Sequence, residues 1–280
     1  MGPVRFRADD FPPARLVEAK AAQGAPFVSV CLPARDEAAT VGKVVATIAE
    51  LAGRWALVDE IVVVDDGSTD GTGEVAAAAG ALVVRADDVL AECGPGTGKG
   101  EALWKALYAA KGDLLVYCDA DIRQFDPSFV TGLLGPLLVD DRIDFVKGRY
   151  ERPGDGGRVT ELVARPVISL LFPDLAGFDQ PLAGEFAGRR EVLERVPFVQ
   201  GYGVDLALLI DVVAAVGLDH VGQVDLGQRL HRNRPLAELR PQAEAVLHAA
   251  LDRAGVRGLD RPPVVERPPI ATIPAYRSRP

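Results

Sequence analysis

Leu114-Leu115-Val116-Tyr117-Cys118-Asp119-Ala120-Asp121 is an apolar run that ends on two carboxylates separated by one residue. In an extended strand alternate side chains share a face, so Asp119 and Asp121 are expected to converge just past the strand end. In a doubly wound sheet that point is the ligand crevice. Two hard carboxylates there suit a magnesium or manganese ion that also carries phosphate oxygens. An Asp-x-Asp tripeptide also arises by chance in surface turns. Its place at the end of a buried run is what gives it weight.

Three apolar runs precede this one: Phe27 to Leu32, Glu60 to Val64 and Ala81 to Val84. Helix-like stretches separate them: Ala39 to Leu51, Thr72 to Ala79 and Gly100 to Ala110. Thr40 or Asp36 can cap the first of these and Thr69 or Asp70 the second. Strand, helix, strand at roughly 30-residue spacing is the signature of βαβ units in a parallel sheet. The fold class expected is therefore α/β, a Rossmann-like, mostly parallel sheet flanked by helices over residues 26–150. An N-terminal helical extension, residues 1–25, precedes it, and Ile143 to Lys147 adds another strand.

The pattern then changes. Gly154-Asp155-Gly156-Gly157 reads as a loop, Val159 to Leu171 as a helix and Val192 to Val196 as a short helical piece. An apolar helix over Val204 to Val216, a short strand over His220 to Leu226 and a helix near Leu236 to Arg253 complete a smaller C-terminal part, residues 151–256. The Pro/Arg-rich tail, residues 257–280, is expected to be flexible or laid over a surface.

With 280 residues, 48% of them hydrophobic and 25% charged, the chain can bury a large core. Its apolar runs are too short to span a bilayer, and Met1 to Arg7 lacks the apolar stretch of a signal peptide, so no membrane insertion is expected. Cys31, Cys93 and Cys118 are odd in number and widely spaced, as reduced thiols of a cytoplasmic protein would be. The net charge of −9 argues against a nucleic-acid partner. It does not exclude an anionic substrate in a locally basic site.

Gly94-Pro95-Gly96-Thr97-Gly98-Lys99-Gly100 approaches a P-loop but fails on spacing. Cys93 stands where the first glycine belongs, and Gly100 where a metal-binding Ser or Thr belongs. A dinucleotide fingerprint fails as well, because no clear strand directly precedes these glycines. What remains is a loop that brings Lys99 toward phosphate and opens a helix whose N-terminal amides favour anions. The plainer alternative is a surface turn with a solvated lysine.

Arg229-Leu230-His231-Arg232-Asn233-Arg234-Pro235 could likewise be a solvated basic turn. If it is extended, Arg229, His231 and Asn233 share one side. A neutral imidazole is a competent third ligand beside two aspartates, and the guanidinium can neutralise phosphate. Trp104 and Leu107 read as core packing rather than a base-stacking platform. Glu185 reads either as a sugar ligand or as a structural carboxylate paired with Arg189 or Arg190.

Read in order, these motifs resemble a known family. Pro33-Ala34-Arg35-Asp36-Glu37-Ala38 looks like the Pro-Ala-x-Asn-Glu start of GT-A glycosyltransferases, and Asp65-Asp66-Gly67-Ser68-Thr69-Asp70 like that fold's second nucleotide contact. Gly98 to Trp104 and Asp119-Ala120-Asp121 follow in the expected order. The later motifs are more specific: Gly157 to Leu162, Gln180 to Glu185, Gly201 to Asp205 and His231 to Pro235. Together, over roughly Val28 to Leu251, they resemble the glucosyl-3-phosphoglycerate and mannosyl-3-phosphoglycerate synthases.

The resemblance implies a retaining GT-A hexosyltransferase that moves glucose from a nucleoside-diphosphate-glucose, UDP-glucose favoured, to the 2-hydroxyl of 3-phosphoglycerate. It implies a Mg2+ or Mn2+ cofactor held by Asp121 and His231, and a homodimer. Pro33, Ala34, Asp36 and Glu37 would lie along the nucleotide with Ser68 near the base. Lys99 would reach the diphosphate, Asp119 and Ala120 the ribose or sugar side, and Arg229 the phosphate charge. Tyr202 and Asp205 would surround the donor sugar hydroxyls. Gly157, Arg158, Thr160 and Asn233 would receive the phosphate and carboxylate of the acceptor. Asp119, Asp121, Lys99 and Asp205 form the implied catalytic set.

Two positions depart from the family pattern. Asp36 replaces Asn, which removes an amide donor, and Asp205 replaces the Glu of the glucosyl enzymes, one methylene shorter. The second change lies near the sugar, so GDP-mannose is the alternative donor. Retention is expected to proceed by front-face attack, the leaving phosphate accepting the hydroxyl proton. Glu185 and Asp205 are the carboxylates that could instead serve as nucleophiles. Three more distant functions remain beside this one: a polyprenyl-phosphate glycosyltransferase, a haloacid-dehalogenase-type phosphohydrolase and a non-catalytic nucleotide-sugar sensor. The phosphohydrolase motif normally follows the first strand, whereas three βα units precede Asp119 here.

Overall fold

The computed structural model describes residues 2–151, 157–228, 236–258 and 260–278. Its strands are β1 Val4–Arg7, β2 Val28–Ala34, β3 Glu60–Asp65, β4 Leu82–Arg85, β5 Leu114–Tyr117, β6 Phe145–Glu151, β7 Phe186–Arg189, β8 Phe198–Val199, β9 Val221–Gln228 and β10 Glu266–Arg267. Eight of them form one sheet in the order β1-β9-β6-β7-β5-β2-β3-β4, and β8 pairs with β10 separately. In the large sheet β7 runs antiparallel to β5 and β6, while the other pairs are parallel. The helices are α1 Pro13–Ala22, α2 Val41–Trp55, α3 Thr72–Ala78, α4 Gly98–Ala109, α5 Ser128–Val139, α6 Arg165–Leu171, α7 Arg190–Leu193, α8 Val204–Val216, α9 Leu236–Arg253 and α10 Pro274–Arg277.

The near-continuous apolar composition of the central strands follows from burial on both faces. Val28, Val30 and Leu32 of β2 and Leu114 and Val116 of β5 point into one core layer with Leu16 of α1, Val41, Val44, Val45 and Ile48 of α2, and α5. Their neighbours Cys31, Leu115 and Tyr117 point the other way, onto Leu103, Trp104 and Leu107 of α4 and onto α8. Each fully buried Val or Leu contributes about 1.5–3 kcal/mol relative to exposure, so the two layers together hold the sheet between its helices.

Two expectations change, for the N-terminal extension and the tail, and a third, the place of the paired carboxylates past the strand end, gains its local geometry. The N-terminal extension is not only helical, because Val4–Arg7 pairs in parallel with β9 and so forms one edge of the sheet. Asp119 and Asp121 lie beyond the last strand residue, Tyr117, in a turn. The tail is built into the protein: Arg267 pairs with Phe198, Arg267 is buried, and Ile270 is fully enclosed.

Nothing in the sequence patterning announces α5, which carries Gly132, Gly135 and Pro136. The glycines are there for contact, since a Cβ on Gly132 would press on Ala8 and one on Gly135 would overlap the Phe11 ring. At the start of α4, a Cβ on Gly100 would overlap the carbonyl of Val199 in β8. A backbone carbonyl held in a strand pair cannot swing away. Gly100→Ala is therefore expected to destabilise the protein by about 1–3 kcal/mol, the range for overpacking, read as a lowered midpoint of thermal unfolding.

Candidate functional site

Strand order reverses between β2 and β5: β3 and β4 lie to one side of β2, and β5 to the other. The carboxyl ends of β2 and β5 meet at this switch, where an open α/β sheet leaves its ligand crevice. A cavity of about 750 Å³ opens there. One wall consists of Pro33, Ala34, Asp36 and Glu37 after β2, Asp66 after β3, Thr97 to Lys99 at the start of α4, and Asp119 to Asp121 after β5. Gly157, Arg158 and Thr160 line the cavity as well, together with Tyr202, Asp205 and the α9 residues Leu239, Gln242 and Val246. The paired carboxylates thus share the cavity through the turn after β5 rather than through strand alternation.

Lys99 is the electrostatic centre. Its Nζ lies 3.0 Å from Asp119 Oδ1 and 3.2 Å from Asp205 Oδ2. Burial alone would lower its pKa, but Asp119, then Asp205 and Glu185, outweigh burial and hold the ammonium well above its ordinary value. Lys99 is therefore a fixed cation at every physiological pH. Asp205 is 8% exposed, and its other oxygen, Oδ1, has no hydrogen-bond partner among the described residues. A nearly buried carboxylate oxygen at a cavity wall is costly unless a donor satisfies it.

The loops that frame the cavity are tied to one another. Asp36 adopts a left-handed conformation, φ 55°, and its Oδ1 accepts from Thr69 N at 2.8 Å and Thr69 Oγ1 at 3.2 Å. In return the Asp36 N–H donates to Ser68 Oγ at 3.0 Å. The carboxylate that replaces the family's amide is thus engaged with the second βα loop. Ser68 itself is not part of the cavity lining and reaches it only through that bond to Asp36. The π-helical turn Thr160–Ala164 opens at the cavity and runs directly into α6. Such turns recur at functional sites.

Arg229, His231 and Asn233 lie outside the described residues. Among the described residues no three His, Cys, Asp or Glu side chains cluster closely enough to hold an ion alone. Asp121 is half-buried on the turn after β5 and lines the cavity beside Asp119, which Lys99 engages.

Sequence reasoning assigned no role to three residues at the site, Asp66, Gly184 and Lys147, and gave a fourth, Glu185, a partner it does not have. Asp66 lines the cavity, where burial raises its carboxyl above the ordinary value while Arg35, 3.5 Å away, and the Gly98 N–H offset part of that rise. Gly184 backs onto the Lys99–Asp119 pair so closely that a Cβ would overlap both partners. Lys147, at a position alternating with strand apolars, is completely buried under the site and donates to the Asp205 carbonyl at 3.1 Å. Glu185, also fully buried, lies near Lys99 and Lys147 rather than Arg189 or Arg190, whose guanidinium groups bind backbone carbonyls elsewhere.

Burial pushes Lys147 from 10.5 down to about 8, against the upward pull of Asp205. Below pH 8 the amine is charged in both folded and unfolded chains. From about pH 8 to 10.5 the folded protein has released this proton while the unfolded chain retains it, so this group adds stability as pH rises. Subtracting the stability of Lys147→Met from that of the wild type isolates the effect. The difference is expected to shift toward the wild type above pH 8 by up to about 1.4 kcal/mol per pH unit, measured by denaturant unfolding.

Known proteins are similar to this chain in sequence and in fold. The family model for glycosyl transferase family 2 matches residues 29–197. Glucosyl-3-phosphoglycerate synthase from Mycolicibacterium smegmatis is 49% identical over 250 residues, covering 86% of this chain and 82% of that protein. The Mycobacterium tuberculosis glucosyl-3-phosphoglycerate synthase, solved with Mn2+, UDP-glucose and phosphoglyceric acid, superposes with a TM-score of 0.87 at 43% identity, covering 96% of this chain and 98% of that one. Mannosyl-3-phosphoglycerate synthase from Rubrobacter xylanophilus gives a TM-score of 0.91 at 39% identity, covering 96% and 97%. A family model spanning more than half of the chain, and relatives spanning most of it, lead to one conclusion: the chain belongs to glycosyl transferase family 2 and, within it, to the glucosyl- and mannosyl-3-phosphoglycerate synthases.

Proposed function

We propose that this protein transfers glucose, with retention, from UDP-glucose to the 2-hydroxyl of 3-phosphoglycerate. The observation that carries the proposal is the partly buried Lys99 cation held between Asp119 and Asp205 in a cavity that Arg158 and Thr160 also line. One end can take a diphosphate and the other a phosphorylated, carboxylated acceptor.

In this proposal Pro33, Ala34, Asp36 and Glu37 border the nucleotide, and Ser68 acts on the base side by fixing the Asp36 backbone. Asp119 and Ala120 border the ribose and sugar. Asp205 Oδ1 accepts a donor-sugar hydroxyl, which supplies the partner that oxygen lacks among the described residues. Tyr202, at the cavity rim, covers the same sugar. Gly157, Arg158 and Thr160 take the acceptor's anionic groups, aided by the amides that open the helical segment. Asn233 and Arg229 are proposed to complete the acceptor and phosphate contacts.

Asp121 and His231 would hold a Mg2+ or Mn2+ ion, whose chemistry at this site is to neutralise charge developing on the leaving diphosphate. Lys99 stabilises that same charge as a preorganised cation in a water-poor setting. The acceptor hydroxyl then attacks from the face the diphosphate leaves, and a leaving-phosphate oxygen takes its proton. Glu185 is fully buried and absent from the cavity lining, which argues against it as a nucleophile and supports front-face attack over a covalent intermediate.

A mannosyl donor is the second reading, and Asp205 favours it because the shorter carboxylate alters the reach to the sugar. The deciding experiment offers UDP-glucose, GDP-glucose, GDP-mannose and UDP-mannose with 3-phosphoglycerate and magnesium, following nucleoside diphosphate and sugar product. UDP-glucose is expected to be preferred. A preference for GDP-mannose would transfer the assignment to the mannosyl reaction, and turnover independent of 3-phosphoglycerate would reject the acceptor.

The proposal extends to a cytoplasmic homodimer. Cys31, Cys93 and Cys118 are free thiols, and no described helix is long and apolar enough to cross a membrane. Leu162 and Leu170 on the acceptor-side helical segment are 72% and 80% exposed, as a buried subunit contact would require. Sedimentation should report a dimer that Leu162→Lys with Leu170→Lys converts to monomer.

A further inference from the structure

The loop that presents Lys99 is clamped from beneath by the far end of the chain. Arg267, in β10, is 7% exposed and forms a two-pronged pair with Glu101 of α4, Nε to Oε2 at 2.6 Å and Nη2 to Oε1 at 2.8 Å. Its remaining donors reach the carbonyls of Cys93 at 2.6 Å and Gly94 at 2.7 Å. The guanidinium also lies 5.3 Å from the centre of the Trp104 ring, and Trp104 Nε1 donates to the Pro268 carbonyl at 3.0 Å. Glu101 is fully enclosed and takes a third contact from Lys105 Nζ at 3.1 Å.

Further contacts fix the same loop. The Thr97 N–H donates to Gln200 Oε1 at 3.4 Å, and the Gly201 N–H to the Thr97 carbonyl at 3.3 Å. Gly96 must be glycine because a Cβ there would overlap the Glu101 carboxylate. Thus the loop enters on two carbonyls held by Arg267, passes over the Glu101 carboxylate, and delivers Lys99 two residues before Glu101 itself.

We propose that Arg267 is a positioning residue for the transferase reaction, setting through Glu101 and the 93–98 loop how far Lys99 reaches toward the donor's diphosphate. This rests on the role proposed above for Lys99. A guanidinium is needed because one planar group must serve a bidentate carboxylate and two carbonyls at once. A lysine keeps the charge next to Glu101 and cannot hold all four acceptors. The C-terminal segment is then part of the donor site although it touches no ligand.

The test compares UDP and UMP binding, with magnesium, by titration calorimetry in the wild type, Arg267→Lys, Lys99→Ala and the double variant. Glu101→Gln serves as a second variant, with the same expected result should Arg267→Lys fail to fold. Lys99→Ala is expected to weaken UDP while leaving UMP within about twofold. Arg267→Lys is expected to weaken UDP by about tenfold, again sparing UMP, and to add nothing further in the Lys99→Ala background, because neighbours acting through one group are non-additive. Equal losses for UDP and UMP, or additive losses in the double variant, would overturn the positioning role. Unchanged UDP affinity in Lys99→Ala would instead remove the Lys99 role, and this inference with it.

Discussion

Asp121→Asn is expected to reduce turnover of UDP-glucose with 3-phosphoglycerate by about a thousandfold, the scale for losing a preorganised electrostatic stabiliser. The substitution keeps the size of the side chain and removes its charge. Asp121 is half-buried in the turn after β5 rather than in the core, so the unfolding midpoint is expected to stay close to that of the wild type. The described residues offer no cluster of three potential ligands, so the loss of one carboxylate leaves little to compensate. The signature that separates an ion-holding role from general damage is the metal dependence. The variant should need a higher Mg2+ or Mn2+ concentration for half-maximal rate, with Mn2+ recovering more activity than Mg2+ because it tolerates nitrogen and softer donors better. Assays of nucleoside diphosphate release across a metal titration read both quantities. Unaltered turnover with an unaltered metal curve would detach Asp121 from the ion.

The features that were legible in sequence are those with a local signature. Apolar runs bounded by turns mark β2, β3, β4 and β5 to within a residue or two, most clearly for β2, β3 and β5, whose middles are buried on both faces and near-continuously apolar. Val41, Val44, Val45, Ile48 and Leu51 recur at helical spacing and mark α2. The cavity residues Lys99, Asp119 and Asp121 are legible because each sits at an element end in the βαβ part of the chain, whereas Asp205 is legible only through the family resemblance.

The rest depends on partners far away in the chain. β1 is four residues long and half polar, and only its pairing with β9, more than two hundred residues later, makes it a strand. α5 looks unsuited to a helix until Ala8 and Phe11 pack onto its glycines. Arg267 read as part of a loose basic tail because its partner Glu101 lies 166 positions earlier. Lys147 gave no signal because a lone lysine among strand residues normally faces solvent, whereas here both faces are covered. Local pattern reports which face is apolar, and it is silent on which distant charge will meet a buried one.

Gly184→Ala is the second large effect, and it separates activity from stability. Gly184 needs no unusual backbone angle, so its glycine is required for space alone. An added Cβ would overlap Lys99 Nζ and both carboxylate oxygens of Asp119. These atoms are side-chain ends, which can move aside more readily than a backbone carbonyl. The fold should therefore tolerate the methyl group better than it tolerates Gly100→Ala, where Val199 main chain is struck. Activity should not tolerate it, because the displaced pair is the one proposed to meet the diphosphate and sugar. A shift on the order of 1 Å in a positioning group can lower the rate about a hundredfold. The expectation is a fall of that size in kcat/KM for UDP-glucose, with an unfolding midpoint above that of Gly100→Ala. If the loss acts through Lys99, Gly184→Ala should add much less than its own full effect in the Lys99→Ala background. A fully active Gly184→Ala would mean that the Lys99–Asp119 contact is dispensable, and the charge placed there would have to act from elsewhere in the cavity.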